Sequence, residues 1–273
     1  MTGTLFIVAT PIGNRADLTP RAISVLQAAT LIVAEDTRHS APLLAWAGVS
    51  TPVRSYHAHN EAEQAPRLVE RLVAGDDVAL ISDAGTPLVS DPGARLVDAA
   101  IAAGVPVVPV PGASAILAAL VGSGLPATAF TFLGFLPRPA TERAAAASAA
   151  LALPHTAILY EAPPRVGDLL ATLAAAGGGA RRAVVARELT KLHEEFRRGT
   201  VSELAAYYEA TPPRGEVVVL IDGAPPVVPD QEGAARRAQS LRAGGQSVRD
   251  TVRHLQEEFG VSRNEAYRLA QDA

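Results

Sequence analysis

Short apolar segments that alternate with helical segments constrain the fold of this 273-residue chain more than any other feature. In the first half, the segments predicted to form β-strands are residues 4–9, 31–34, 78–81 and 106–110. The helical signals between them are a Thr-Pro start at residues 19–20, a segment at 61–73 that ends before a glycine, and a segment at 91–103. Buried strands separated by helices are typical of a mostly parallel sheet that is covered on both faces.

A second α/β set is predicted after residues 122–141, which are rich in Gly and Pro and indicate a crossing between two domains. Its strands are predicted at residues 156–160, 183–186 and 216–221. A capping box at residues 200–203 predicts a helix start between the second and third of these strands. We therefore expect one α/β domain at residues 1–125 and another at residues 126–225, each with a mostly parallel sheet.

The C-terminal part of the chain has a different pattern. Prolines at positions 225, 226 and 229 indicate a linker. Beyond it, residues 246–259 are helical in pattern, Gly260 breaks the pattern, and a capping box at residues 262–265 predicts a second helix. The expected fold class is therefore α/β, with a small helical segment at residues 233–273 that has a helix-turn-helix shape.

The composition excludes several kinds of site. The chain has no cysteine, so disulfide bonds, a thiolate nucleophile and a cysteine-ligated zinc ion are excluded. No apolar run approaches the ~20 residues that a membrane-spanning helix needs. The apolar stretch at residues 5–9 lacks the preceding basic region of a signal peptide, and it is predicted to be a strand. We expect a cytoplasmic protein without membrane association.

The six histidines show no spacing that is typical of a metal site. His57 and His59 would share one face of an extended segment, but a zinc site needs a further ligand on an aligned scaffold. A polar loop that faces an active site or RNA is favoured over a metal site, so no metal is expected.

Charge is distributed unevenly along the chain. The formal net charge of −4 argues against a protein that coats nucleic acid. Residues 1–137 carry 7 Arg against 11 acids, whereas residues 138–198 carry 8 Arg and 1 Lys against 6 acids. Any contact with RNA is therefore expected to concentrate in the middle segment.

Polar loops follow all four predicted strands of the first half, at residues 9–14, 34–39, 82–87 and 110–114. Because ligands bind at the carboxyl ends of strands in an open α/β sheet, these loops are predicted to surround one ligand site. Asp83 could accept hydrogen bonds from a ligand hydroxyl or amine, or could hold its own loop in an Asx-turn. The N–H groups after Ser114 could bind a polar ligand atom. The first loop, with Pro11 and Gly13, permits close approach of a ligand, although an ordinary turn is the alternative, and it is not a GxGxxG motif.

The second half adds three polar segments, at residues 160–165, 186–194 and 214–216. Lys191, the only lysine of the chain, lies in the second of them. A lysine can shift its pKa and act as a proton acceptor or a compact point charge, which an arginine cannot. In a chain that otherwise uses arginine, this residue indicates a functional role, with chance retention as the alternative.

Together these loops resemble the motifs of a known family. The motifs are Ala9-Thr-Pro-Ile-Gly-Asn14, Ala34-Glu-Asp-Thr-Arg38, His57-Ala-His-Asn-Glu61, Ser82-Asp-Ala-Gly-Thr-Pro87, Val110-Pro-Gly112, Gly134-Phe-Leu-Pro137, Tyr160-Glu161, Ala186-Arg-Glu-Leu-Thr-Lys191 and Gly215-Glu216. In this order, and over nearly the whole chain, they are similar to those of the 16S rRNA (cytidine-2′-O)-methyltransferases, a family of the tetrapyrrole-methylase-like superfamily. The resemblance implies S-adenosylmethionine-dependent 2′-O-methylation of a cytidine ribose in the 16S rRNA of the small ribosomal subunit.

The resemblance also implies where the methyl donor binds. Two α/β domains are expected to hold it in the cleft between them, and the protein is expected to be a homodimer. The residues expected to bind the donor are Pro11, Gly13, Asp83, Thr86, Ser114, Ala115, Tyr160, Leu189 and Gly215. Pro164 departs from the family pattern, in which a histidine more often precedes the arginine, so a catalytic role of that histidine cannot apply to this chain.

A ribose 2′-hydroxyl is a weak nucleophile, so a nearby base or charge is expected to assist its attack. The candidates are Lys191, Glu188 and Glu35, and our hypothesis is that Lys191 acts with Glu188. The arginines expected to hold rRNA phosphates are Arg38, Arg138, Arg165 and Arg187.

Two alternatives remain at this stage. The first is a methyltransferase of the same superfamily that acts on a tetrapyrrole or a similar small molecule. The second is a non-catalytic nucleic-acid-binding protein that uses the helical tail, although that tail has 7 Arg and 7 acids from Asp230 onward. A nucleotide hydrolase is disfavoured because the chain has no phosphate-binding GxxxxGK[ST] loop.

Overall fold

A computed structural model describes residues 1–225 and 230–273 of the chain. Of the prolines that predict a linker, Pro226 and Pro229 lie outside the described residues. The described residues form two compact units, Met1–Gly223 and Ala224–Ala273. No helix in the described part is long and apolar enough to cross a membrane.

The first sheet is formed by five strands from the first half of the chain. Its strands are β1 (Leu5–Val8), β2 (Leu31–Ala34), β3 (Val53–Ser55), β4 (Val78–Ile81) and β5 (Val107–Val110). They lie in the order β3-β2-β4-β1-β5, and every neighbouring pair is parallel. All residues of β2 and β4 are buried, as expected for a sheet covered on both faces. The parallel sheet is therefore confirmed, with β3 as a short and partly exposed edge that the sequence does not predict.

Helices connect these strands and cover the sheet. They are α1 (Pro20–Ala28), α2 (Thr37–Trp46), α3 (Glu61–Val73), α4 (Ala94–Ala102) and α5 (Ala115–Ser123). Thr19 caps the first helix as predicted, with Pro20 at the first helical position. The predicted start of the fourth helix at Asp91 is wrong, because Gly93 adopts a φ of 134° and the helix begins after it. Asp91 is thereby left in the loop after β4.

The second sheet contains β6 (Phe130–Phe135), β7 (Thr156–Glu161), β8 (Arg182–Arg187), β9 (Glu195–Thr200) and β10 (Val217–Ile221). Its order is β6-β7-β10-β8-β9. The expectation of a mostly parallel sheet is wrong here, because only β6 and β7 are parallel and the other three pairs are antiparallel. A short loop joins β8 to β9, and two strands joined so directly can pair only as an antiparallel hairpin. The sequence does not predict β9, which is rich in charge, or β6, which lies within the Gly- and Pro-rich residues 122–141.

The helices of the second half are α6 (Ala140–Ala152), α7 (Val166–Leu173) and α8 (Val201–Ala210). The capping box of Thr200 and Glu203 at the start of α8 is present as predicted. Ile12 and α5 of the first half pack against the second sheet in one shared apolar cluster. Both sheets consequently belong to one compact unit, and the boundary between residues 125 and 126 stays a prediction.

The C-terminal unit has its own small core. Its helices are α9 (Gln231–Ala243), α10 (Val248–Phe259) and α11 (Arg263–Asp272), of which the sequence predicts the last two. Ser247 and Ser262 cap those two helices, and Gly260 ends the first of them with a φ of 64°. Alanines of α9, together with Val252 and Leu255, form the core of this unit.

Candidate functional site

Three adjoining cavities form a cleft between the two sheets. The first has a volume of 450 Å³, the second 350 Å³ and the third 270 Å³. Ile12 and Ala84 line all three cavities, so the cavities are contiguous. The cleft lies at the carboxyl ends of β1 and β4, which is the edge of a parallel sheet where ligands bind.

The loops after β1 and β4 are joined to each other beneath the cleft. The Thr10 N–H donates to the Gly85 carbonyl at 2.8 Å, and the Gly85 N–H donates to the Thr10 carbonyl at 3.0 Å. The Thr10 hydroxyl also donates to the Ser82 carbonyl at 3.2 Å, and both of these side chains are buried. The predicted convergence of these two loops is therefore confirmed.

Three residues expected to bind the donor use their polar atoms to support loops. Asp83 Oδ1 accepts a hydrogen bond from the Asp36 N–H at 3.0 Å. The Thr86 hydroxyl donates to the Ala113 carbonyl at 3.2 Å, and Ser114 Oγ accepts from the Leu117 N–H at 3.5 Å. Asp83 lines the first cavity, and Thr86 and Ser114 line the third. These contacts order the cleft wall from the side of the first sheet.

Three carboxylates, Glu35, Asp83 and Asp91, interact electrostatically beside the third cavity. Burial and, next, the charge of Glu35 raise the pKa of Asp91 to about 6, whereas a hydrogen bond with Ser82 opposes this and the charge of Asp83 adds a smaller raising effect. Burial and the charge of Asp83 also raise the pKa of Glu35, although the charge of His57 opposes this. Because the like charges destabilise one another, this cluster favours a cationic ligand.

Lys191 is the centre of a second charged cluster, which lies where the first cavity meets the second. Its Nζ donates to Glu188 Oε1 at 2.9 Å and to Glu216 Oε2 at 3.0 Å. Glu188 Oε1 also accepts from the Glu216 N–H at 3.0 Å. Lys191 lines the first cavity, and Glu216 lines both the first and the second.

The protonation states of this cluster follow from its hydrogen bonds. Burial acts to lower the pKa of Lys191, but hydrogen bonds to Glu188 and Glu216 outweigh it, and the net pKa is raised. The hydrogen bond from Lys191 holds the pKa of Glu188 below its ordinary value. Lys191 is thus held as an ammonium that is hydrogen-bonded to Glu188 and Glu216, and it supplies positive charge in this arrangement.

The backbone beside Lys191 is strained. Glu188 has a φ of 54° and Thr190 a φ of 65°, in the left-handed region that side-chain-bearing residues rarely adopt. Within the described residues, the other non-glycine residues with a positive φ are Leu88 and Ser90, which follow β4 beside the third cavity. Such conformations cost roughly 1–3 kcal/mol each and cluster at functional sites. All four therefore lie in the two loops that line the cleft.

Two glycines make room for the Lys191 cluster. A Cβ on Gly215 would overlap the Glu188 carboxylate, and a Cβ on Gly13 would overlap the Lys191 side chain. The Asn14 N–H also donates to Thr190 Oγ1 at 3.1 Å. The loop after β1 is thereby packed onto the loop after β8, which holds the two walls of the cleft together.

An apolar surface forms one wall of the second cavity. Phe135, Tyr160 and Leu189 line it, with Ala115 at the start of α5. The rings of Phe135 and Tyr160 have centroids 5.7 Å apart. Burial, with the charges of Asp91 and Glu216, raises the pKa of Tyr160 to about 12, so its hydroxyl is neutral at ordinary pH.

The residues expected to bind the donor all line the cleft. Pro11, Gly13 and Asp83 line the first cavity, Leu189 and Gly215 line the second, and Thr86 and Ser114 line the third, whereas Ala115 and Tyr160 line both the second and the third. Sequence reasoning misses Arg15, Asp91, Phe135 and Glu216 as lining residues. Glu35 lines none of these three cavities and instead lies beside Asp83.

The four arginines expected to bind phosphate do not converge. Arg38 lines the first cavity and pairs with Asp36 at 2.9 Å while its side chain is 90% exposed. Arg165 pairs with Glu161 at 2.6 Å, and Arg187 pairs with Glu195 at 2.6 Å. Arg138 is exposed and has no ion pair within the described part of the chain. Their role in binding RNA stays a prediction.

A buried ionic network supports the wall that carries Tyr160. Glu161 and Arg143 have side chains only 1% and 6% exposed and form an ion pair at 2.9 Å. Arg143 also pairs with Asp168 at 3.1 Å. Pro164, where the family more often has a histidine, lies in the short 3₁₀ turn Pro163–Arg165 that follows β7.

No group of three metal-ligating side chains that could hold an ion is found among the described residues. His57 and His59 contact each other edge-on, with ring centroids 5.9 Å apart. Nδ1 of His57 is buried and has no hydrogen-bond partner among the described residues.

The two-sheet architecture agrees with the comparisons to known proteins. A model of the family described as tetrapyrrole (corrin/porphyrin) methylases matches residues 4–205. The solved uroporphyrin-III C-methyltransferase from Thermus thermophilus has the same fold, with a TM-score of 0.58 at 23% identity, over 81% of this chain and 94% of that one. A structure of that protein's type complexed with S-adenyl homocysteine gives a TM-score of 0.57 at 20% identity, over 81% and 97% of the two chains. The chain therefore belongs to the tetrapyrrole methylase family.

Similar chains within this family share one name, ribosomal RNA small subunit methyltransferase I. The protein of that name from Xylella fastidiosa is 50% identical over 81% of this chain and 82% of its own length. Those from Synechocystis and Escherichia coli O157:H7 are 43% and 41% identical, each over 98% of this chain and over 97% and 94% of their own lengths. This chain is thus a methyltransferase whose relatives are rRNA methyltransferases.

Proposed function

We propose that this chain methylates the ribose 2′-oxygen of a cytidine in the 16S rRNA of the small ribosomal subunit and takes the methyl group from S-adenosylmethionine. The observation that carries the proposal is the position of the Lys191 cluster, where the first cavity meets the second. A donor on one side of this cluster and an acceptor nucleotide on the other would bring the two reacting atoms together. Holding two reactants in line can supply ~7–11 kcal/mol of the barrier.

The second and third cavities have the chemistry that this donor requires. Its purine would pack on the apolar surface of Phe135, Tyr160 and Leu189. Its amine and sulfonium are cationic, and the carboxylate of Asp91, which lines the third cavity, suits positive charge. When bound, S-adenosylmethionine supplies an electrophilic methyl group. The fit to these residues supports the donor as cofactor.

The first cavity has the chemistry of an acceptor site for RNA. Arg15, Arg38 and His39 line it, opposite Lys191. Arginines that contact phosphates position a nucleic acid without reading its sequence. An RNA strand that enters over these residues would place one ribose next to the Lys191 cluster.

The Lys191 cluster would prepare the 2′-hydroxyl for attack. The ammonium can stabilise negative charge that develops on the hydroxyl oxygen, and the carboxylates of Glu188 and Glu216 can accept its proton. Because hydrogen bonding lowers the pKa of Glu188, this carboxylate is a weak base, and the electrostatic contribution of Lys191 is the larger one.

We include a homodimer and a cytoplasmic location in the proposal. Leu117 and Val121 lie four residues apart on α5 and are 52% and 78% exposed, and Phe135 on the edge strand β6 is 53% exposed. Exposed apolar side chains and an unpaired strand edge both favour association with a second copy. The location follows from the proposed substrate, which is made in the cytoplasm.

Donor binding and methyl transfer test this proposal. We expect S-adenosylmethionine to bind in calorimetry, and we expect methyl incorporation into small ribosomal subunits but not into porphyrin-type substrates. The Lys191→Ala variant should still bind the donor and should lose methyl transfer by roughly 10²–10³-fold, because it loses the positive charge beside the reacting oxygen. Wild-type turnover in this variant would contradict the role of Lys191, and absence of donor binding in the wild-type protein would contradict the whole proposal.

A further inference from the structure

A fourth cavity, of 220 Å³, lies outside the cleft. It is bounded by the end of β8, the end of α8 and the loop that leads to β10. Arg187 and Arg214 line it, and the residues that follow them in the chain are Glu188 of the Lys191 cluster and Gly215 of the cleft wall. The cavity and the cleft consequently adjoin the same two chain segments.

The walls of this cavity combine an aromatic ring with cationic groups. The Arg197 guanidinium lies over the Tyr207 ring, 3.7 Å from its centroid, and Tyr207 is 38% exposed. Arg187 and Arg197 both pair with Glu195, at 2.6 Å and 2.7 Å. Arg214 is exposed, and it forms no ion pair with any residue in the described ranges. The local charge is therefore positive, which suits an anionic ligand.

Buried polar atoms at this cavity lack partners. Tyr208 lines the cavity and is 3% exposed, and its hydroxyl makes no hydrogen bond of acceptable geometry to a described residue. The Nε of Arg197 is likewise buried without a partner in the described part of the chain. Burial and the charge of Glu195 raise the pKa of Tyr208, although the charge of Arg197 and a hydrogen bond with Arg197 oppose this. Both atoms are closed off from the cavity, so they belong to the wall behind Tyr207, and the accessible groups of this cavity are the Tyr207 ring and Arg214.

We infer that this cavity binds an unpaired nucleotide of the rRNA close to the nucleotide that is methylated. Its base stacks on the exposed Tyr207, and Arg214 contacts its phosphate. Proteins that bind single-stranded RNA combine aromatic rings with arginines in this way. At 220 Å³ the cavity is smaller than any of the three cleft cavities, which fits one nucleotide rather than the methyl donor.

The inference rests on the proposed function, and its test separates RNA binding from donor binding. We expect Tyr207→Ala to weaken binding of small ribosomal subunits by roughly five- to hundred-fold, whereas Tyr207→Phe, which keeps the ring, binds as the wild-type protein does. Arg214→Ala, a change at an exposed residue, should weaken binding and reduce its salt dependence. Calorimetry should give the same affinity for S-adenosylmethionine in all variants.

The inference is overturned if Tyr207→Ala and Arg214→Ala both bind small subunits as tightly as the wild-type protein. It is also overturned if Tyr207→Phe loses as much affinity as Tyr207→Ala, because stacking would then not be the cause. If the wild-type protein binds the donor and methylates RNA, but the variants bind small subunits with unchanged affinity, this inference alone is contradicted. A wild-type protein that binds no donor contradicts the proposed function itself, and this inference with it.

Discussion

Single residues decide the geometry of the cleft, and Gly215 is the clearest case. It has a φ of 83°, and a Cβ there would overlap the Glu188 carboxylate. Gly124 has a φ of 80°, but a Cβ there would meet nothing within 4 Å. The two glycines therefore have the same backbone requirement, and they differ in whether a side chain would disturb the Lys191 cluster.

We predict that Gly215→Ala abolishes most methyl transfer, whereas Gly124→Ala does not. Both changes should destabilise the fold by roughly 1–2 kcal/mol, because both place a side chain in the left-handed region. Thermal unfolding measures that shared effect, and single-turnover methylation measures the difference. Equal loss of activity in the two variants would mean that backbone strain, and not displacement of Glu188, is responsible.

A second prediction at this scale concerns Asp91, whose pKa of about 6 lies above the value for a free aspartate. Ionisation above this pKa should strengthen binding of the cationic donor, so donor affinity should rise from about pH 5 to about pH 7. Because the pKa is raised in the folded state, protonated Asp91 favours folding, and its contribution to stability is lost as pH rises through about 6. Asp91→Asn should weaken both pH dependences. Calorimetry at each pH measures the donor affinity, and urea titration at each pH measures the free energy of unfolding. Unchanged pH profiles in this variant would show that another group titrates.

At the residue scale, part of the site could be predicted from the sequence. Asp83, Thr86 and Lys191 stand in motifs or are unusual in composition, and all three line the cleft. Asp91 could not be found in the same way, because its importance arises from contacts between loops that are far apart in sequence. Glu216 stands in the Gly215-Glu216 motif, but its hydrogen bond with Lys191, 25 positions away, has no signal in the residue types. The left-handed backbone of Glu188 and Thr190 also has no signal in the residue types, since glycine or asparagine would be the usual choices there.

At the scale of secondary-structure elements, strands with uniform apolar composition were predictable, and charged or edge strands were not. β4 is apolar throughout and fully buried, and its predicted bounds are correct. β9 carries Glu195, Arg197 and Arg198, which pair with neighbours instead of entering the core, so its sequence has no apolar alternation. The hairpin of β8 and β9 accounts for one antiparallel pair of the second sheet, and the antiparallel pairing of β10 with both β7 and β8 accounts for the other two.

The ionic network behind β7 gives a prediction at this scale. Arg143→Ala removes a buried cation that pairs with Glu161 and Asp168. Breaking a buried pair typically costs roughly 3–5 kcal/mol, and we expect the lower end of this range because Arg165 still pairs with Glu161. The matched control is Arg182→Ala, whose partner is Asp222 and whose side chain is 62% exposed, with an expected loss of ~0–1 kcal/mol. Urea denaturation compares the two, and similar losses would mean that the network contributes little to stability.

At the scale of the whole molecule, the exposed apolar side chains of α5 and β6 predict association of two copies. We expect the wild-type protein to sediment as a dimer and Val121→Glu to sediment as a monomer, because a charge at this position would be buried without a partner. Val73→Glu is the control, since Val73 is also exposed, at 49%, but lies on α3. A wild-type monomer, or a Val121→Glu variant that remains dimeric, would rule out this surface as the interface.

At the scale of the whole molecule, transfer of a labelled methyl group to RNA tests most directly whether this protein is a 16S rRNA 2′-O-methyltransferase. The purified protein is incubated with methyl-labelled S-adenosylmethionine and small ribosomal subunits that lack the modification, and the labelled nucleotide is identified by mass spectrometry of the digested RNA. We expect label on the ribose 2′-oxygen of a cytidine in 16S rRNA and loss of that label in Lys191→Ala. Label on a base, or no label in RNA from a protein that binds the donor, would contradict it.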